Sequence, residues 1–92
     1  MKFLAVSSNT GDPTPLLDAE GARTVELQQD GTFELVLLKA DWSGAVILLN
    51  AANADAARAA VDSLPLVRHG VTRFELTAVI DPADVAGAPA GR

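Results

Sequence analysis

TFELVLLKADWSGAVILLN, residues 32–50, contains two apolar segments on either side of a short polar stretch. TFELVLLK is rich in strand-forming residues, AVILLN is a nearly continuous apolar run, and the intervening ADWSG is typical of a hairpin connection. Alternation along the first segment places Phe33, Leu35 and Leu37 on one side of the strand. Only Glu34 interrupts the apolar character of the other side. The stretch therefore predicts a β-hairpin with two largely apolar faces.

The residues before the hairpin predict a strand followed by a helix. Residues 2–7 are mostly apolar, and a cluster of turn-forming residues follows them. Pro15 is suited to the first turn of a helix, and Gly31 stands where a left-handed residue commonly closes one. We therefore expect a helix over residues 16–29.

The residues after the hairpin predict a second helix and a last strand. Asn53 is a favourable N-cap. It is followed by an apolar stripe at helical spacing: Ala57, Ala60, Val61 and Leu64. Pro65 is expected to end this helix, because proline lacks an N–H and disfavours a helical residue before it. Alternating side chains then predict a strand over residues 71–80.

The predicted elements follow the order strand, helix, strand, strand, helix, strand. This is the order of an α+β, ferredoxin-like βαββαβ fold, with a four-stranded antiparallel sheet and two helices on one face. Right-handed crossovers would place the first and third strands at the centre of the sheet.

Two helices cover only one face of such a sheet, yet the hairpin strands are apolar on both. An antiparallel sheet that faces water should alternate apolar with polar residues, so we expect the second face to pack on the sheet of a second copy. The result would be a dimeric α+β barrel. In the alternative, the two strands lie centrally under a curved helix layer. If the dimer forms, Val36→Lys or Ile47→Lys should abolish the dimer or the fold.

Composition limits the classes of function. The length of 92 residues predicts one domain over residues 1–80 and an Ala-, Gly- and Pro-rich C-terminal tail over residues 81–92. A net charge of −5 disfavours nucleic acid as a partner. The longest apolar run, residues 45–49, is far below the roughly 20 residues that cross a bilayer, so no membrane partner is expected.

The first residues of the chain bear on where the protein is located, and the absence of cysteine bears on which cofactors it could hold. MKFLAV resembles the start of a signal peptide, but polar residues interrupt it at once, which favours a cytoplasmic protein. The chain has no cysteine and none of the common phosphate-binding or metal-binding motifs. We therefore expect neither a metal site nor a cofactor.

Four stretches carry a resemblance to a known family. NADAARAAVDSLPLV (residues 53–67), closing on FELTAV (residues 74–79), together with DAE (residues 18–20) and ELQQDGTF (residues 26–33), resembles the muconolactone isomerase-like family. The similarity covers about residues 2–80 and extends to the wider dimeric α+β barrel proteins, including the YciI-like family. It implies a ferredoxin-like fold that associates through its sheets. For the isomerases it also implies a ring of dimers and a proton-shifting isomerisation of an unsaturated lactone.

Two residues are candidates for moving a proton. Glu20 lies on the apolar side of the first predicted helix and matches a glutamate of the family, and partial burial would raise its pKa. The alternative is a surface glutamate paired with Arg23. His69 is the only side chain whose ordinary pKa lies near neutrality, and it could act as a general base. The alternative is an exposed loop histidine.

Four further residues are candidates for binding a substrate. Asp41 and Trp42 lie in the hairpin turn, where they could form the mouth of a pocket; the alternative is a turn aspartate and a tryptophan that packs on the dimer partner. Ser7 ends the first strand and could line a cavity. Arg73 lies on the polar side of the last strand, where it could line a polar slot or pair with Glu75.

Two functions therefore remain open. In the first, the chain is a small cofactor-free, isomerase-like enzyme that binds a small organic acid or lactone and moves a proton with Glu20 or His69. In the second, it is a non-catalytic module, an obligate homodimer that binds a ligand or only assembles. Both are compatible with one fold, so the fold alone does not choose between them.

Overall fold

The computed structural model describes residues 1–85, and most of the predicted tail, residues 86–92, lies outside this range. The strands are β1 (Lys2–Asn9), β2 (Phe33–Leu38), β3 (Ala45–Asn50) and β4 (Thr72–Val79), and the helices are α1 (Leu17–Gln29), α2 (Ala54–Asp62) and α3 (Pro65–Arg68). The four strands form one antiparallel sheet in the order β2-β3-β1-β4. The helices pack on one face of it. The predicted α+β, ferredoxin-like fold is confirmed, including the central position of β1 and β3.

The helix boundaries follow local signals with two differences. A short 3-10 turn, Thr14–Leu16, precedes α1, so the α-helix begins at Leu17. Its end is as expected, because Gly31 has a left-handed φ of +84°. The Asn53 side chain accepts a hydrogen bond from Ala56 N at 2.8 Å and caps α2. Pro65 follows the end of α2 and also occupies the first turn of α3, an element that the sequence did not predict.

The core lies between the helices and one face of the sheet. Its ten buried apolar residues are Phe3, Ala5, Leu27, Phe33, Ile47, Leu49, Ala57, Val61, Leu64 and Phe74. In β1 the buried residues alternate with half-buried ones, so that Phe3 and Ala5 face the helices while Leu4 and Val6 face away. Every strand and the helices α1 and α2 contribute to this single core.

A β-bulge in β2 changes which hairpin residues face the helices. Phe33 lies opposite Leu49, but Leu35 lies opposite Leu48, so the pairing shifts by one residue at Glu34. Phe33 is therefore buried under the helices, whereas Leu35 and the residues after it have exchanged faces. The prediction that Phe33, Leu35 and Leu37 share one side is wrong for this reason.

The same bulge places Val36 on the helix side of the sheet, where the alternation of β3 already places Ile47. These two residues lie opposite each other, Ile47 is buried, and Val36 packs against the core. A lysine at either position would disrupt the core and would not test the other face. Leu37, opposite Val46, takes the position that the alternation had given to Val36.

No helix within residues 1–85 has the length and apolar character that crossing a membrane requires.

Candidate functional site

The face of the sheet away from the helices is apolar at its centre. We call it the open face, and its six central side chains are Leu4, Val6, Leu35, Leu37, Val46 and Leu48. In the single chain Leu35 is 48% exposed and Leu37 is 52% exposed, while the side chains on β1 and β3 are half-buried. No element within residues 1–85 covers this face. It is the two-faced apolar hairpin that the sequence predicted, with the exposed residues reassigned by the bulge.

One end of the open face is closed by a compact polar cluster. Lys2 on β1 forms an ion pair with Glu34, and Asn50 on β3 donates to Glu34 Oε1 at 3.3 Å. The hydrogen bond from Lys2 is the main reason that the pKa of Glu34 lies below its ordinary value. The charges at this end therefore largely satisfy each other.

The opposite end, which we call the hairpin end, carries two cations. Lys39 Nζ lies 3.3 Å from Ser8 Oγ, and Ser8 lies directly opposite Arg73 across β1 and β4. Among residues 1–85 neither Lys39 nor Arg73 forms a salt bridge. Gly44 lies between Lys39 and Ser8 and approaches β1 closely, since a Cβ at Gly44 would stand 1.9 Å from Ser7 O.

The hairpin turn holds Asp41 in a structural role. Asp41 Oδ1 accepts hydrogen bonds from Ser43 N at 3.0 Å and from Ser43 Oγ at 2.6 Å. These bonds hold the pKa of Asp41 below its ordinary value, and the bond from the Ser43 side chain makes the largest contribution. Trp42 has a φ of +64° and is 77% exposed, and its carbonyl accepts from Asn9 Nδ2 at 3.3 Å. The indole ring is therefore presented to the outside while its backbone is fastened to β1.

Ser7 is buried at the same end of the sheet. Its hydroxyl oxygen accepts a hydrogen bond from Ala45 N at 2.8 Å, where the regular pairing of β1 with β3 ends. Ser7 thus satisfies a backbone donor beside the hairpin. The four predicted substrate-binding residues, Ser7, Asp41, Trp42 and Arg73, all lie at the hairpin end.

Glu20 lies on α1, and its side chain reaches α3. Its Oε1 accepts a hydrogen bond from Leu66 N at 3.0 Å, in the first turn of α3. Burial raises the pKa of Glu20, and the bond from Leu66 offsets part of that shift. Arg23 does not pair with Glu20, since it contacts Glu26 at 3.3 Å and Ser63 at 3.1 Å instead. The surface ion pair considered from the sequence is therefore absent.

His69 immediately follows α3. Its backbone N–H donates to Pro65 O at 3.0 Å, and its side chain is exposed. Glu20 contacts the start of α3, and His69 directly follows its end, so the two predicted proton carriers lie at opposite ends of one short helix. Within residues 1–85 no direct hydrogen bond joins them.

Glu20→Gln is expected to raise thermal stability at neutral pH and to have little effect near pH 4. A carboxyl group with a raised folded-state pKa contributes stability below the pKa that it has in the unfolded chain, and this stability is lost as the pH rises through the folded-state pKa. Glutamine stays neutral and keeps an oxygen for Leu66 N. Melting temperatures of wild type, Glu20→Gln and the exposed Glu26→Gln should be compared at both pH values. A rise in the melting temperature of Glu20→Gln that is seen only near pH 4 would contradict this explanation.

A groove beside β4 contains residues that the sequence analysis did not select. This β4-edge groove has a volume of about 710 Å³, is open to solvent, and is lined mainly by Thr10, Arg58, Val67, Arg73 and Phe74. Arg73 was a candidate, but Arg58 and Thr10 were missed. The signal available for Arg58 was its position as the one cation in an alanine-rich helix.

Within residues 1–85, no group of three or more His, Asp or Glu side chains is placed to hold a metal ion.

Comparison with known proteins supports the fold. No protein-family model matches the chain, and no curated protein matches it by sequence. Among solved structures it is similar to 5-chloro-2-hydroxyhydroquinone dehydrochlorinase (TftG) from Burkholderia phenoliruptrix AC1100, in complex with 2,5-dihydroxybenzoquinone. The TM-score is 0.68 at 17% sequence identity, over 87% of this chain and 94% of that one. The chain therefore has the ferredoxin-like α+β fold of that dehydrochlorinase.

Proposed function

We propose that this protein is a homodimer, joined through its open faces, that binds a small organic acid or lactone and moves a proton on it. The observation that carries the proposal is the open face, six neighbouring apolar side chains on an antiparallel sheet that has helices on its other side only. Monomeric proteins rarely leave such a contiguous patch in water. Residues 1–80 would act as the domain.

A second copy of the chain is the occupant that fits this face best. A two-fold axis brings the same patch of both chains together, so one self-complementary apolar surface is enough. Each Å² of apolar surface removed from water contributes about 25 cal/mol. The polar cluster of Lys2, Glu34 and Asn50 bounds the face at one end, and Lys39 and Arg73 bound it at the other. This arrangement matches the apolar centre and polar rim of protein interfaces.

Glu20 is the proposed proton carrier. Its raised pKa lets a carboxyl group hold a proton closer to neutral pH than an exposed glutamate does. Oε1 is fixed by Leu66 N, and within residues 1–85 no hydrogen bond is made to Oε2, which leaves one oxygen to exchange a proton with a ligand. In an isomerisation, Oε2 would take a proton from one carbon and return it to another, with no net change in the enzyme. His69, exposed beyond α3, would serve as the second proton carrier.

The likeness to a dehydrochlorinase supports small-molecule binding or catalysis on this fold. That protein is described with a small quinone bound. At 17% sequence identity the likeness concerns the fold, and the proposed reaction rests on Glu20 and His69.

A non-catalytic dimer is the second candidate, and two contacts favour it. Glu20 caps the first turn of α3 and Ser7 satisfies Ala45 N, so both candidate residues already stabilise the fold. In this case the chain would assemble, with or without a ligand, and Glu20 would act only as a helix cap.

Hydrogen exchange in D₂O tests the proton transfer. We expect the wild-type protein to exchange carbon-bound hydrogens of an unsaturated lactone, followed by NMR, and Glu20→Gln to slow this by at least about 100-fold. Glu26→Gln, on the same helix but exposed, is the matched control and should leave the rate unchanged. Equal rates in wild type and Glu20→Gln would exclude Glu20 as the carrier. A wild-type dimer without exchange would favour the non-catalytic candidate.

A further inference from the structure

The β4-edge groove brings together two arginines from different elements. Arg58 comes from the middle of α2 and Arg73 from the start of β4, and both line the same groove. The chain as a whole carries a net charge of −5, so general electrostatics do not attract an anion to it. Two arginines that line one groove therefore form a local exception to the charge of the protein.

Arg58 is held in place and still has donors to offer. Its NH1 donates to Phe74 O at 3.1 Å, on the edge strand, and lies 4.0 Å from Asp62 Oδ1. A guanidinium group has five N–H donors in a fixed planar arrangement. The bond to Phe74 fixes the orientation of the group beside the groove, while the other donors remain for a ligand.

Arg73 has no protein partner to satisfy it. Within residues 1–85 its side chain makes no hydrogen bond and no salt bridge, although Glu75 follows it two positions later on the same side of β4. Its cross-strand neighbour is Ser8, which carries no charge. An exposed arginine beside a groove, without a fixed carboxylate, is available to an anionic ligand.

The remaining walls of the groove are apolar or uncharged. Val67 is half-buried and supplies hydrocarbon surface, whereas the side chain of Phe74 belongs to the core. Thr10 Oγ1 donates to Gly70 O at 2.9 Å, which ties the residue after β1 to the loop after α3 beside the groove. The volume of about 710 Å³ lies within the roughly 300–1,000 Å³ that is usual for small-molecule sites.

We propose that the β4-edge groove binds the carboxylate of a small planar organic acid through Arg58 and Arg73, with the body of the acid against Val67. Arginine favours carboxylates because its planar donors can bind both oxygens together. The proposal rests on the proposed function for the class of ligand, an organic acid, and it names where the acid group is recognised.

Benzoate is a suitable probe, with benzamide as its uncharged counterpart. Titration of the full-length protein, followed by ¹H–¹⁵N NMR, should shift the amides of Thr10, Gly70 and Phe74 with benzoate and leave them in place with benzamide. Arg73→Gln should weaken benzoate binding by at least about tenfold, because a charge-assisted hydrogen bond is lost. Arg68→Gln makes the same change of charge outside the lining of the groove and should leave the affinity unchanged.

Arg58→Gln should weaken binding to a similar extent, but it also removes the bond to Phe74 O. Arg73→Gln, which breaks no such contact, keeps the test independent of folding. Three results would each contradict the proposed binding site. They are equal binding of benzamide and benzoate, an unchanged benzoate affinity in Arg73→Gln, and no benzoate binding at millimolar concentration.

Light scattering on the same samples separates this proposal from the proposed dimer. If the protein is a dimer and does not bind benzoate, only the proposed binding of an acid in the β4-edge groove is contradicted. If the protein is a monomer and binds benzoate through Arg73, the result supports the binding site in the groove and contradicts the proposed dimer.

Discussion

Leu48→Lys is expected to dissociate the proposed dimer into monomers at micromolar concentration. Leu48 lies on the central strand β3, on the open face, between Leu35 and Leu4 on the neighbouring strands. In a two-fold dimer the substitution places two ammonium groups in the apolar centre of the interface. Burial of an unpaired charge costs several kcal/mol, so we expect the dissociation constant to rise by at least about 100-fold.

Light scattering coupled to gel filtration measures this effect directly. Leu17→Lys is a matched control, because Leu17 is an exposed leucine on α1, outside the open face, and is 52% exposed. It should remain a dimer. Leu37→Lys, on the open face and also 52% exposed, provides a second variant that a single folded chain tolerates. The native protein as a folded monomer, or Leu48→Lys as an unaltered dimer, would contradict the proposed interface.

Gly44→Ala is expected to lower the melting temperature by about 12–24 °C. A Cβ at Gly44 would lie 1.9 Å from Ser7 O and 2.7 Å from Ser7 C, and these backbone atoms belong to the central strand β1. The two strands would have to separate, weakening the bond from Asn9 N to Ser43 O, now 2.7 Å, and the bond from Ala45 N to Ser7 Oγ. We estimate a loss of about 3 kcal/mol, at about 4–8 °C for each kcal/mol in a domain of this size.

Gly21→Ala provides the matched control with the opposite sign. Gly21 lies inside α1, and a Cβ there would have no neighbour within 4 Å. Alanine is favoured over glycine in a helix by about 1 kcal/mol, so this variant should melt at a higher temperature than wild type. Calorimetry on both variants gives the comparison. A Gly44→Ala protein that melts within a few degrees of wild type would show that β1 and the hairpin are not held this closely.

The sequence predicted the architecture because its strongest signals are local. The cap at Asn53, the left-handed residue at Gly31 and the stop at Pro65 each depend on a few neighbouring residues, and each boundary is confirmed. The order of elements then restricts the topology to a small number of arrangements. The sheet order and the uncovered apolar face follow from these local features.

The bulge at Glu34 could not be predicted from the pattern of apolar residues. With leucine or valine at each of residues 35–38, a shift of one residue leaves the pattern unchanged. The shift becomes visible only where Leu35 meets Leu48 across the sheet. This is why Val36, and not Leu37, was first assigned to the interface.

The contacts of the candidate site could not be predicted from the sequence for a different reason. Glu20 and Leu66 are 46 positions apart, and Arg58 and Phe74 are 16 apart, so each pair meets only after the helices have packed. From the sequence, Glu20 was either a partly buried carboxylate or a surface glutamate paired with Arg23. The structure shows it half-buried, with its partner Leu66 on a helix that the sequence did not predict. The β4-edge groove likewise depends on how α2 and α3 lie against β4.

The position of Trp42 determines what fluorescence can report about this protein. It is the single tryptophan, and it stands exposed at the tip of the hairpin, away from the core. Its emission therefore reports on the turn and on anything that comes to lie over it, and it is a poor indicator of whether Leu49 or Val61 is still packed. The left-handed backbone at this position is one that glycine would adopt more easily. Substitution by glycine would relax the turn and leave the chain without its natural optical probe.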